Sequence, residues 1–153
     1  MASIAIASDD LTGYGVGDDV LIPVVYGIAA AGFLYDNWEL IEKMNREIAG
    51  IRSKTRKESP SIVYELRAKV DGYYDDVRLG KDAVFLKKGD IWKIGQTSRV
   101  ADRYPNNSYE RKKFDQIEVF RGNKTEVLAE EKRRIYIYEI INGSLPPGNK
   151  IHR

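Results

Sequence analysis

The sequence predicts a small α+β domain preceded by a helical extension. Three short runs rich in β-branched and aromatic residues follow residue 60, which is typical of strands. A long helical pattern comes after the last of these runs, and a second helical pattern precedes the first. We therefore expect a three-stranded antiparallel or mixed sheet flanked by helices, with an N-terminal helical extension.

The composition is that of an ordinary globular protein. The chain has 153 residues, of which 42% are hydrophobic and 31% are charged. These fractions exclude a collagen-like, low-complexity or wholly disordered chain. There is no cysteine, so disulfides, thiolate zinc sites and cysteine nucleophiles are excluded. The single histidine, His152, cannot form a multi-histidine metal site and disfavours a Ser-His-Asp triad.

The charge is unevenly distributed along the chain. Residues 1–60 carry 6 Lys and Arg against 9 Asp and Glu, whereas residues 61–153 carry 19 against 14. A basic surplus that is confined to one region points weakly to a polyanionic partner such as nucleic acid.

An uncharged apolar run occupies residues 20–35. A membrane-spanning helix needs about 20 apolar residues, and Pro23 interrupts this shorter run, so no stable span is expected. The pattern favours a buried helix or hairpin, and the alternative is a segment that touches a membrane. The residues before it are glycine-rich and show no secretory signal.

A helix is expected over residues 36–55, where Asp36 and Glu39 fit a capping box. Its apolar residues recur at helical spacing; they are Trp38, Ile41, Ile48 and Ile51. We expect this helix to brace the region that follows. A polar segment ending at Pro60 then divides the chain into residues 1–60 and residues 61–153.

The second region contains the strands. They are predicted over residues 62–68, 91–95 and 114–120, with loops and one short strand at 83–86 between the first two. A short helix is expected to start near Arg99, and a turn is predicted over residues 121–123. Asn123 or Thr125 then caps a long helix that ends at Asn142, before Gly143.

One stripe of this long helix holds a carboxylate among apolar residues. The stripe consists of Leu128, Glu131, Ile135 and Tyr138. A carboxylate that loses its hydration needs a metal ion, an arginine or a substrate as compensation. The alternative is an ion pair at the rim. The neighbouring Glu130 is expected to form an exposed pair with Arg134.

Cations and hydroxyls cluster around the end of the second strand. Gly95 ends this strand and allows a ligand to approach the backbone closely. The cations are Lys93, Arg99 and Arg103, and the hydroxyls belong to Thr97 and Ser98. This combination suits phosphate contact, although solvated surface residues give the same pattern.

Taken in order, these residues resemble the GIY-YIG nuclease superfamily, in its Lys-Ile-Gly-x-Thr branch. The resemblance covers residues 61–150, and Arg103 stands eight residues after Gly95 as that family expects. The matching residues are Ile62-Val63-Tyr64, Lys93-Ile94-Gly95 with Thr97, Arg103, Glu131 ahead of Lys-Arg-Arg-Ile, and Pro147-Gly148-Asn149. The departures are Ile62 in place of a glycine, Lys93 in place of a tyrosine, and an insertion between the two strands.

The resemblance implies a metal-dependent endonuclease that hydrolyses DNA, with RNA as another possible substrate. It makes Glu131 the ligand of one Mg²⁺ or Mn²⁺ and Tyr64 the general base, whose pKa nearby cations must lower. Lys93 and Arg103 would stabilise charge on the phosphate. Asn149, or Asn142 in its place, would orient the substrate or supporting groups. The expected nucleic-acid contacts are Gly95, Thr97, Ser98, Arg99 and Lys132.

A second resemblance concerns residues 9–24 and the following apolar run. They are similar to the segment that precedes C-terminal toxin domains in bacterial polymorphic toxins of the Rhs type, and residues 131–150 resemble the ends of GIY-YIG toxins of this kind. This implies a fragment of a longer antibacterial toxin, delivered into the target cytoplasm and countered by a cognate immunity protein. Two alternatives stay open: a non-catalytic nucleic-acid-binding module on a degenerate nuclease fold, and a membrane-active toxin that uses residues 20–35.

Overall fold

The computed structural model describes residues 33, 35–54, 59–99, 103–105 and 108–152. It confirms the α+β class, with mixed helices and strands along the chain. In chain order the elements are α1 (Trp38–Lys54), β1 (Pro60–Ala68), β2 (Gly72–Asp75), β3 (Ala83–Leu86), β4 (Ile91–Thr97), α2 (Tyr109–Lys113), β5 (Phe114–Asn123) and α3 (Lys124–Asn142).

The apolar run at residues 20–35 lies outside the described residues except for Phe33 and Tyr35. The predictions made for it therefore stay predictions. Within the described ranges, no helix is both long and apolar enough to cross a bilayer.

The main sheet is antiparallel and has the strand order β4-β1-β5. In the central strand β1, Tyr64 pairs with Gly95 of β4 on one side and with Glu118 of β5 on the other. The two short sequence motifs thus lie on neighbouring strands. A separate hairpin is formed by β2 and β3. Strand β2 was predicted as loop, because Asp71-Gly72 and Gly80 are turn residues.

Both faces of β1 are covered. Ile62, Tyr64 and Leu66 point to one face, which we call the tyrosine face, where Trp92 and Phe114 complete the cluster. Val63 points to the opposite face, which we call the helix face. There it packs against Ile94 of β4 and against Val127 and Ile135 of α3. This double coverage explains why β1 is buried along almost its whole length.

Helix α3 begins and ends as the sequence predicts. The Asn123 side chain accepts a hydrogen bond from the Glu126 amide at 3.0 Å, and the Glu126 side chain accepts one from the Asn123 amide at 2.9 Å. Gly143 ends the helix in the left-handed conformation, with φ at 73°. The predicted turn at residues 121–123 is wrong, since these residues continue β5 up to the cap.

The short helix between β4 and β5 begins later than predicted. Tyr109 is its first residue rather than a position near Arg99. Ser108 sets this start because its hydroxyl accepts a hydrogen bond from the Arg111 amide at 3.2 Å.

Helix α1 braces α3. Met44 and Ile48 are buried against Ala129 and Tyr136 of that helix. Trp38, which was assigned to the packing stripe, is 56% exposed.

The start of α1 also differs from the prediction. Asp36 lies within a preceding helical turn rather than at a cap, and the Asn37 carbonyl accepts the Ile41 amide at 3.1 Å. The division of the chain at residue 60 stays a prediction, and α1 packs directly on the second region.

Candidate functional site

Tyr64 occupies the centre of the tyrosine face and is 0% exposed. Its ring lies across Gly95 of the paired strand. A Cβ atom built on Gly95 would stand 2.6 Å from the Tyr64 hydroxyl, so only glycine fits at this position. Gly95 does not end the strand as predicted, since β4 continues to Thr97. It makes room for the tyrosine, which is a structural task that the sequence did not reveal.

The Tyr64 hydroxyl is held by two neighbours in the segment that follows β4. It shares a hydrogen bond of 2.8 Å with the Tyr104 hydroxyl, and Arg103 Nε donates to it at 3.3 Å. The two tyrosine rings meet edge to face with centroids 5.8 Å apart. The structure thus brings the predicted pair Tyr64 and Arg103 together and adds Tyr104, which sequence reasoning missed among 10 tyrosines.

The surroundings of Tyr64 shift the pKa values of its two neighbours, Tyr104 and Arg103. Burial raises the pKa of the Tyr104 phenol above its ordinary value, and the adjacent Tyr64 adds to the effect. The hydrogen bond to Tyr64 raises the pKa of Arg103. Near neutral pH the Tyr64 oxygen therefore lies between a permanent cation and a phenol that keeps its proton.

Two further predicted residues share the tyrosine face. Lys93 pairs with Leu66 and Thr97 pairs with Ile62, so their side chains point to the side that Tyr64 occupies. The Thr97 hydroxyl accepts a hydrogen bond from the Arg99 amide at 2.9 Å, and it thereby shapes the turn after β4. Ser98 and Arg99 are exposed on that turn, where a ligand can reach them.

Asn149 is buried and bonded to both backbone groups of Ile94. Its Oδ1 accepts from the Ile94 amide at 3.0 Å, and its Nδ2 donates to the Ile94 carbonyl at 2.9 Å. The Gly148 amide adds a bond to the Trp92 carbonyl at 2.7 Å. The tail therefore covers the outer edge of β4. The structure favours the supporting role, one of the two roles predicted for Asn149, because both polar atoms of its amide are engaged.

We expect Asn149→Ala to lower the free energy of unfolding by about 2–4 kcal/mol. The substitution leaves two buried backbone groups unpaired, and each such loss costs about 1–3 kcal/mol. Urea denaturation measures the change. The matched control is Asn142→Ala, which removes an exposed side chain and should change stability by less than about 0.5 kcal/mol. Equal losses in the two variants would contradict the supporting role.

Glu131 lies on α3 and is 4% exposed. It stands one helical turn from both Val127 and Ile135, which pack on the helix face of the sheet. Helix α3 thus covers the opposite face of β1 from the Tyr64 cluster. A substrate group that contacts both Tyr64 and Glu131 would have to reach around an edge or an end of the sheet.

The carboxylate beside it, Glu130, belongs to an ion-pair network. Glu130 pairs with Arg134 at 2.6 Å and with Arg133 at 2.7 Å, and Arg134 reaches Glu65 of β1 at 3.4 Å. The predicted pair between Glu130 and Arg134 is confirmed, but its predicted exposure is wrong because the Glu130 side chain is only 13% exposed. The network thus joins α3 to β1.

Lys132 does not lie where a nucleic-acid contact was predicted. Its side chain is 9% exposed, and its Nζ is 2.8 Å from Glu47 Oε2 on α1. The long apolar stem is buried between two helices and the charge is neutralised there. The predicted role is corrected accordingly: Lys132 joins α1 to α3.

The residues fit a divalent cation held by one carboxylate. In the described part of the chain, no group of three or more metal-ligating side chains comes together. Mg²⁺ is commonly bound by one or two carboxylates together with water and substrate phosphates, and the Glu131 side chain is a donor of that type. Comparisons of the chain with protein-family models, with curated proteins and with solved structures give no match.

Proposed function

We propose that this protein is a metal-dependent endonuclease that hydrolyses DNA phosphodiester bonds. The observation that carries the proposal is the Tyr64 oxygen, which is held between the Arg103 guanidinium and the Tyr104 hydroxyl. Tyr64 and Gly95, from the two short motifs, are direct partners across neighbouring strands. This arrangement suits a phenol that exchanges a proton with an attacking water.

Each residue has a distinct task in the proposed reaction. The phenolate form of Tyr64 accepts the proton of the water that attacks phosphorus, while Tyr104 donates a hydrogen bond to the Tyr64 oxygen. The bond from phosphorus to the leaving sugar oxygen breaks, and that oxygen takes a proton from solvent. Arg103 and Lys93 stabilise the negative charge that grows on the phosphate. Glu131 holds Mg²⁺ or Mn²⁺, which when bound supplies Lewis-acid polarisation of a phosphate oxygen.

The proposal includes a biological setting. The protein acts as an antibacterial toxin that is delivered into the cytoplasm of a target bacterium and is neutralised by a cognate immunity protein. Support comes from the toxin-like residues 9–24, which lie outside the described residues. Residues 20–35 leave a membrane-active toxin as a further candidate, which predicts liposome binding that is lost when residues 1–36 are deleted.

A non-catalytic nucleic-acid-binding module is the second candidate. Two observations favour it: Lys93 replaces the tyrosine of the second motif, and the Tyr64 side chain is fully buried. Such a module would bind nucleic acid without a metal ion, and its binding would weaken with salt.

Plasmid digestion distinguishes the candidates. We expect supercoiled DNA to become nicked or linear with Mg²⁺ or Mn²⁺ and to stay intact with EDTA. Gel electrophoresis measures the products, and a structured RNA is digested in parallel. If both nucleic acids stay intact with either metal while salt-sensitive binding is observed, the nuclease proposal fails and the binding module replaces it.

A further inference from the structure

Three segments meet at the end of the sheet that lies beyond the candidate site. The Ala68 amide donates to the Asp90 carbonyl at 3.0 Å, and the Gly89 amide donates to the Ala68 carbonyl at 2.8 Å. The Lys69 amide donates to the Lys113 carbonyl at 3.1 Å. Residues 67–71, 87–90 and 111–115 therefore form one continuous surface, which we call the basic end.

The basic end concentrates positive charge. Its residues include seven Lys and Arg and three Asp, a net charge of +4, whereas the whole chain carries +2. Two of the carboxylates accept hydrogen bonds from backbone amides. Asp71 accepts the Lys88 amide and Asp90 accepts the Lys87 amide, each at 2.8 Å. Asp115 reaches the Lys69 Nζ only at 4.0 Å.

The most exposed cations at this surface are lysines. Lys87, Lys88, Lys112 and Lys113 are all exposed. The arginines have structural partners: Arg67 pairs with Glu65 at 2.6 Å, and Arg111 donates to the Tyr104 carbonyl at 3.1 Å. Exposed lysine is depleted in protein–protein interfaces, whereas it commonly contacts nucleic-acid phosphates. The composition therefore favours a phosphate backbone over an acidic protein.

The spacing fits a duplex that extends from the candidate site. Tyr64 and Ala68 are separated by four steps along β1, which is about 13 Å at 3.3 Å per residue. Duplex DNA rises 3.4 Å per base pair, so this span is about four base pairs. We infer that the basic end binds the phosphate backbone of duplex DNA at about this distance from the bond that is cut. The inference rests on the proposed nuclease function.

A charge-matched comparison tests the inference. One variant carries Lys87→Gln, Lys88→Gln, Lys112→Gln and Lys113→Gln. The control removes four exposed cations of α1 through Lys43→Gln, Arg46→Gln, Arg52→Gln and Lys54→Gln. Binding to a fluorescent 20-base-pair duplex is measured by anisotropy in EDTA over a range of salt concentrations, with circular dichroism confirming that both variants fold.

We expect the slope of log K against log salt to become shallower by about 3–4 in the basic-end variant, since each lost phosphate contact removes about 0.9. The control should keep the slope of the unmodified protein. Equal slopes in all three proteins, or equal losses in the variant and the control, would overturn the inference. Displacement of the duplex by polyglutamate at equal charge concentration would overturn it in favour of an acidic protein partner.

Failure of this inference and failure of the nuclease proposal give different results. If the unmodified protein cuts plasmid with Mg²⁺ while the basic-end variant binds the duplex normally, only the inference fails. If the basic-end variant alone loses salt-dependent binding while no protein cuts DNA, only the nuclease proposal fails.

Discussion

Glu131→Gln removes cleavage, with kcat lowered by at least about 10³, while the fold is retained. A metal ion contributes several kcal/mol of transition-state stabilisation, and each 1.4 kcal/mol corresponds to about tenfold in rate. Glutamine keeps the volume of the side chain at a position that is 4% exposed, so the packing of α3 on the sheet is preserved. Initial rates of plasmid nicking with Mg²⁺ measure the loss, and calorimetric titration with Mn²⁺ shows whether cation binding is lost with it.

Glu130→Gln is the matched control, since it makes the same change at the adjacent position of the same helix. Its carboxylate pairs with Arg133 and Arg134. We expect a rate within about fivefold of the unmodified protein, together with a loss of about 1–3 kcal/mol in unfolding free energy from the broken charged hydrogen bonds. Equal rate losses in the two variants would show that both substitutions act by disturbing α3. The assignment of Glu131 as metal ligand would then fail.

The sequence predicted those parts of the fold that depend on short-range patterns. The alternation in β1, the reciprocal bonds between Asn123 and Glu126, and the stop at Gly143 each depend on a few neighbouring residues. Local propensity decides such features, so they can be predicted from one chain. Strand β2 was not predicted as a strand, because its pairing with β3 is a tertiary contact between two four-residue runs.

Helix α3 shows why the site itself was harder to predict. It is buried on two sides, with Val127 and Ile135 against the sheet and Ala129 and Tyr136 against α1. From the sequence, α3 was interpreted as a helix with one apolar stripe and one solvated face. Lys132 and Glu130 were therefore expected to be in solvent. Periodicity identifies a stripe but does not say which element or sheet face will cover it. For the same reason it could not show that α3 lies across the sheet from Tyr64.

The second large effect on the cleavage rate is expected at the two hydrogen-bonded phenols, Tyr64 and Tyr104. Tyr64→Phe should lower kcat by about 10²–10⁴, the range that general-base catalysis contributes, with little change in KM. Tyr104→Phe should cost about tenfold, because the Tyr64 oxygen keeps the hydrogen bond from Arg103. Single-turnover cleavage at saturating DNA measures both rates, and thermal unfolding measures stability in parallel.

The two substitutions also separate chemistry from packing. Both delete the buried hydrogen bond of 2.8 Å between the two hydroxyls, and Tyr64→Phe also deletes the bond from Arg103, so packing alone predicts a somewhat larger loss of stability for Tyr64→Phe and a rate loss in proportion. A general base predicts a rate loss for Tyr64→Phe that is at least about tenfold larger than the difference in stability accounts for. Rates that fall equally would remove Tyr64 from the reaction and leave it as the side chain that fills the space above Gly95. A difference in rate that exceeds the difference in stability would assign the proton transfer to the one phenol that both Arg103 and Tyr104 contact.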